Sequence, residues 1–223
     1  MNIKTLLITP AIALAAASTS QGSLILTGIM DGTLAGGTPK VIELYVTTDI
    51  ADLSLYGVEL VSNAGSSAGS VETFFSGTAT AGEFIYVATE APNFTSVLGF
   101  APNFTTNDVN HNGDDDFYIY GPAGAVPGGT LLDTWGGSDA VDNTGTVADL
   151  LDSWAYRANG TSANTTFTPS EWTIAAPNSL DGLTAAEMNT AFPNGTFTAA
   201  GVPEPSSLLL GALGGLALLR RRR

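Results

Sequence analysis

The residues of this sequence best equipped for chemistry lie between Asp108 and Asp116. The run Asp108-Val109-Asn110-His111-Asn112-Gly113-Asp114-Asp115-Asp116 sets oxygen-bearing side chains at alternate positions around a glycine. That is how a calcium loop begins, because a hard cation takes carboxylate and amide oxygens and the glycine permits the sharp turn. The candidate calcium ligands are therefore Asp108, Asn110, Asn112, Asp114 and Asp116. An EF-hand has a bidentate Glu at its twelfth position, where this chain has Ile119, and no helical pattern flanks the run. A site here would be weaker and would borrow carboxylates from another loop. The same residues also suit a plain hairpin turn, since Asn112-Gly113 favours positive φ.

Other chemistry is sparsely supplied. His111 is the single histidine, and its place in an Asn/Asp/Gly-rich loop predicts a solvated side chain. A Ser-His-Asp triad would need that one imidazole, and no G-x-S-x-G element accompanies it. Zinc hydrolases draw on two or three His ligands. The absence of cysteine excludes disulfides and thiolate chemistry. Carboxylates are plentiful, so a pair arranged for glycoside hydrolysis is compatible with the composition. Trp135, Trp154 and Trp172 suit either a sugar-binding platform or, more commonly, a core.

Charge narrows the partners. The net charge is −14, and five of the seven basic residues are Lys4 and Arg220 to Arg223 at the two ends. The stretch between keeps only Lys40 and Arg157. Nucleic-acid binding rests on neutralising phosphates with Lys and Arg, so this acidic middle excludes a nucleic-acid partner. Cations or a neutral extracellular polysaccharide fit better, and a large charge of one sign also keeps an exported protein dispersed.

Both ends read as processing signals. Met1 to Lys4 is short and basic, Leu6 to Ala17 is apolar, and small residues follow. This is a secretory leader, expected over residues 1–21, with cleavage by signal peptidase between Ala17 and Gly22. At the other end Val202, Pro203, Glu204 and Pro205 precede an apolar run from Ser207 to Leu219, closed by Arg220, Arg221, Arg222 and Arg223. Prolines keep the first part extended. The run can enter a bilayer as a short helix, and the arginines hold its end at the cytoplasmic face. This order resembles the PEP-CTERM sorting signal of Gram-negative bacteria. The resemblance implies an exosortase as processing enzyme, a transient membrane anchor, and association with exopolysaccharide, biofilm and the cell surface.

The elements that must position the middle residues are strands. Ser23–Ile29, Val41–Val46, Gly57–Val61, Glu72–Phe75, Glu83–Ala88, Asp116–Tyr120, Leu131–Trp135 and Ser153–Arg157 are rich in Val, Ile, Tyr, Phe and Thr and are separated by turn residues. Alternation places Ile42, Leu44 and Val46 inward with Glu43 and Tyr45 outward. Thr184 to Glu187 has the form of a capping box and predicts one short helix ending near Phe192. The fold class expected is all-β, a sandwich over residues 22–192, followed by a linker at 193–201 and the sorting signal at 202–223, with helices only at the leader, the capping box and the tail.

Ile29-Met30-Asp31-Gly32, then Gly36 to Lys40 with Glu43-Leu44-Tyr45, Asp52 to Tyr56, Asn112 to Asp115, Trp154 to Arg157, Glu171-Trp172 and Asn178 to Gly182 resemble lamin-tail-like domains. Leu55 stands where such domains carry a glycine. The resemblance implies an immunoglobulin-like sandwich of an accessory or binding kind, without a hydrolase domain attached. The expected function is a non-enzymatic structural or binding protein of the cell surface or extracellular matrix. The alternative is a secreted hydrolase acting on polysaccharide or phosphoester through a carboxylate and cation site.

Overall fold

The computed structural model describes residues 24–63, 69–124, 126–137 and 142–200. The expected leader and sorting tail, with their helices, lie outside these residues. Among the described residues, no helix is long and apolar enough to cross a membrane.

Two sheets share one apolar core. Strand β1 (Leu24–Leu34) turns at Gly36-Gly37 into β2 (Thr38–Val46), and both glycines take the positive φ that this tight reversal requires. With β5 (Phe84–Ala88), β6 (Phe104–Thr105), β9 (Trp154–Arg157) and β10 (Trp172–Ile174) they form a six-stranded sheet in the order β10-β9-β1-β2-β5-β6. Its pairings are antiparallel except for β5 with β6. The second sheet, ordered β4-β3-β7-β8, contains β3 (Gly57–Val61), β4 (Thr73–Phe74), β7 (Asp116–Ala123) and β8 (Val126–Trp135). Leu24, Leu26, Ile42 and Leu44 of the first meet Val58, Phe117, Ile119 and Trp135 of the second in one buried cluster. This is a mostly β, two-sheet sandwich, as the spacing of apolar runs predicts.

The large sheet is buried on its other face as well. Helix α1 (Pro92–Leu98) and helix α2 (Ala185–Ala191) lie over it, and Phe94, Val97, Leu98, Met188 and Phe192 pack with Ile25, Met30, Val41 and Ala88. Burial on both faces explains why β1 reads as a nearly continuous apolar run rather than an alternating one. Helix α2 carries the expected capping box between Thr184 and Glu187. Helix α1 was not expected. Its apolar residues do recur at helical spacing, but its N-cap is Ala91, which makes no side-chain hydrogen bond.

This second layer corrects the expected exposure of Glu43. Ile42, Leu44 and Val46 do face the sandwich core. Glu43 points to the opposite face, yet it is 0% exposed, because the chain after α2 closes over it. Residues expected as a linker likewise lie against the sheet: Phe197 is buried in the outer cluster, and Thr198 pairs with Asn159 and Gly160.

One polar cluster ties the two sheets together. Asp133 on β8, 0% exposed, accepts Arg157 Nη2 at 2.7 Å and the Leu26 amide at 2.8 Å. It also accepts the amides of Thr134 and Asn164. Arg157 Nε donates to the Leu26 carbonyl at 2.7 Å, Nη1 reaches Ser162 O and Glu171, and the guanidinium lies 4.6 Å from the Trp172 ring centre. Burial pushes the Asp133 carboxyl up to about 6 despite the Arg157 charge. Removing one partner of such a pair strands the other, at about 3–5 kcal/mol. Arg157→Met is therefore expected to lower the urea midpoint by that equivalent, and Arg157→Lys to recover only part of it. An Arg157→Met chain as stable as the parent would show that the cluster does not bind the sheets.

Candidate functional site

The loop from β6 to β7 carries the five candidate calcium ligands, and their side chains separate. Asp108 sits in a short 3-10 turn whose cap is Thr106, and its Oδ2 accepts the hydroxyls of Thr106 and Thr73. Asn110 and Asn112 are exposed. Asp114 Oδ2 accepts the Thr144 hydroxyl at 2.9 Å, and Asp116 Oδ1 accepts Asn143 Nδ2 at 2.7 Å. The neighbouring Asp115 is buried and accepts the amides of Asn112 and Asn63. Among the described residues, no group of three or more His, Cys, Asp or Glu side chains is placed to hold a metal ion.

Gly113 has the positive φ expected, at +96°, but it does not turn a hairpin. It is where the loop meets the segment before β9: a Cβ there would lie 2.3 Å from the Leu151 nitrogen, and its carbonyl accepts the Leu150 amide. Any side chain at this point would push the two segments apart.

His111 is also not the solvated residue that its neighbours suggest. It is 2% exposed, its Nε2 lies 3.1 Å from the Met30 carbonyl, and its ring meets Phe117 edge-on. Burial, then the nearby Lys40 charge, holds its pKa down to about 3. The imidazole is neutral at pH 7 and serves as packing with one polar contact.

Lys40 and Arg157, the two cations among the described residues, are both spent internally. Lys40 stands opposite Asp31 in the β1–β2 register and its Nζ pairs with Asp31 Oδ1. Asp31 is buried and also accepts the Asp152 amide. Burial raises its pKa, and the Lys40 contact opposes that rise. Arg157 is held in the cluster between the sheets. The described exterior therefore carries carboxylates without compensating cations.

A third polar centre lies beneath the C-terminal segment. Glu43 accepts hydrogen bonds of 2.7 Å each from the Thr27 hydroxyl, the Tyr156 hydroxyl and the Gly195 amide. Tyr156 in turn accepts the amides of Thr196 and Phe197. Burial raises the Glu43 pKa, and burial followed by the Glu43 charge raises those of Tyr86 and Tyr156. Sequence reasoning missed this centre. The available signal was a lone Glu between apolar residues on a strand without an exposed face.

An open cleft of about 620 Å³ borders β5 and β6, lined in part by Leu53, Thr78, Glu83, Phe84 and Asn103. Its lining holds one ionisable side chain, Glu83, whose carboxylate accepts the Thr80 amide. The tryptophans do not share a platform: Trp135 and Trp172 are buried against each other at 4.8 Å, and Trp154 packs against Phe192. Core is the reading that holds for the first two.

The remaining candidates, Val202 to Pro205 and Arg220 to Arg223, lie outside the described residues. Here comparison with known proteins is decisive: residues 201–223 match the family model of the PEP-CTERM protein-sorting motif. The chain carries a PEP-CTERM sorting signal. This signal implies an exported, membrane-transiting precursor that an exosortase processes. No curated protein and no solved structure matches the chain.

The depressed His111 pKa gives a testable pH dependence. The unfolded chain takes up a proton near pH 6.5 and the folded chain only near 3, so this group's support for folding is complete above 6.5 and is lost as pH falls. The loss is at most about 1.4 kcal/mol per pH unit. The stability advantage of the parent over His111→Gln should shrink by about 2 kcal/mol between pH 6.5 and 5, measured by urea unfolding. A difference independent of pH would show that His111 titrates normally.

Proposed function

We propose that the mature protein is a non-catalytic structural or binding module of the cell surface or extracellular matrix, built on an immunoglobulin-like, lamin-tail-like sandwich. Signal peptidase removes its leader, an exosortase processes its tail, and its partner is extracellular polysaccharide of the kind that forms biofilm.

The observation that carries this reading is the placement of the two cations. With Lys40 and Arg157 both paired inside, a domain delivered by a sorting tail presents carboxylates together with uncharged amides and hydroxyls. Such an exterior repels nucleic acid and other polyanions. It suits hydroxyl-rich neutral chains, which are bound through hydrogen bonds rather than through charge. The scattering of the carboxylates over separate hydrogen-bonding sets, and the single acid in the cleft, favour this reading over the hydrolase alternative.

Intact mass spectrometry of the protein from its native host, with cell fractionation, tests it. The expected product lacks both the leader and the region following about residue 202, and is found outside the cytoplasmic membrane. Replacing Pro203-Glu204-Pro205 with alanines should leave a membrane-bound precursor. A mature protein that keeps the apolar run and the four arginines would remove the basis for a matrix role.

A further inference from the structure

The structure attaches the C-terminal segment to the sandwich almost up to the sorting motif. Phe197 is 3% exposed in the outer cluster, the amides of Gly195, Thr196 and Phe197 reach Glu43 and Tyr156, and Thr198 pairs in both directions with Asn159 and Gly160. Pro203 follows only five residues after Thr198. Fully extended, that stretch spans at most about 18 Å at 3.3–3.6 Å per residue. A folded unit of this size has a radius of gyration of about 16 Å. An enzyme that engages Pro203-Glu204-Pro205 must therefore come within the sandwich's own radius of it while the strap is in place.

The surface it would meet there differs from the rest of the molecule. Residues 158–170 and 188–203 contain no ionisable side chain, in a chain of net charge −14. The hydrogen bonds of Thr198 to Asn159 and Gly160 join these two stretches, so the strap leaves between two runs of uncharged residues, bordered by Glu171 at Ala158 and by Glu187 on α2. Contact confined to these runs strips water from no charged group, whereas contact elsewhere on the acidic exterior does.

We infer that the strap from Gly195 to Thr198 fixes the spacing between sandwich and motif, and that the uncharged rim around it is a docking surface for the membrane enzyme that processes the tail. This rests on the reading of residues 201–223 as a sorting signal. The rim supplies no chemistry; it permits close approach where the short connection demands it.

The test is pulse–chase processing of the full precursor in its native host. Ala158 and Thr190 are exposed members of the two uncharged stretches, and their hydrogen bonds run to Glu171 and Thr161 and to Ala186 rather than to the strap. The pair Ala158→Glu with Thr190→Glu is expected to slow tail removal at least fivefold, with the sandwich as protease-resistant as the parent's. Inserting about twelve flexible Gly/Ser residues between Ala200 and Gly201 adds roughly 20 Å of mean reach. In that longer chain the Glu pair should be processed as fast as the unsubstituted longer chain. Processing of the Glu pair at the parental rate would overturn the proposal, and so would slowing that persists with the spacer. Ala158→Lys with Thr190→Lys separates enzyme from lipid: slowing by both signs supports an enzyme surface, while slowing by Glu alone would mean that the rim faces anionic lipid and would overturn enzyme docking. The precursor with alanines at Pro203-Glu204-Pro205 is run alongside. If it matures, the sorting reading itself fails, and this proposal fails with it.

Discussion

A carboxylate and a guanidinium, Asp133 and Arg157, are buried between two sheets whose shared core is mainly apolar. Apolar contact is non-directional, so it can hold two sheets together without fixing how they slide. The Asp133–Arg157 cluster adds direction. Asp133 belongs to β8, Arg157 to β9, and both hold the backbone of Leu26 in β1. Three strands from two sheets are thereby set in one register, and a displaced packing would leave two charges unpaired in the core. In a chain without cysteine no disulfide can fix the two sheets, so direction comes from this polar cluster.

The same economy governs the rest of the charge. A domain with only two cations could have placed them outside to moderate its acidity. Here each neutralises a buried aspartate instead, Lys40 with Asp31 and Arg157 with Asp133. Two buried aspartates are thereby compensated, buried carboxylates such as Glu43 and Asp115 rely on hydrogen bonds instead, and the described exterior is left without a compensating cation. Repulsion of polyanions is the physical consequence of that allocation. Residues 158–170 and 188–200, which carry no ionisable side chain, are the local exception, joined where Thr198 meets Asn159 and Gly160.

The outer layer of helices and strap changes how the large sheet is read. A sheet with one wet face alternates, and that assumption sends Glu43 to solvent. With α1, α2 and residues 192–197 over the second face, Glu43 becomes a buried acceptor whose partners include the Gly195 amide. The carboxylate thus acts as an anchor point for the segment that leads to the tail.

Eight of the ten described strands, the capped helix α2 and the sorting tail were legible in the sequence alone, because each rests on local pattern; the short β6 and β10 were not expected. Val, Ile and aromatic runs between turn residues define strands such as β2, β3 and β5; Thr184 with Glu187 defines a helix start; a Pro-Glu-Pro motif, an apolar run and arginines define the tail in linear order. What only the tertiary structure decided was burial and partnership. His111 sits in a polar loop by sequence but under Met30 and against Phe117 in space. Asp108, Asp114 and Asp116 belong to one alternating run along the chain but turn to Thr73, Thr144 and Asn143, which come from other segments. Strand and helix periods report which way a side chain leaves the backbone. They do not report what another part of the chain, a hundred residues away, has placed there.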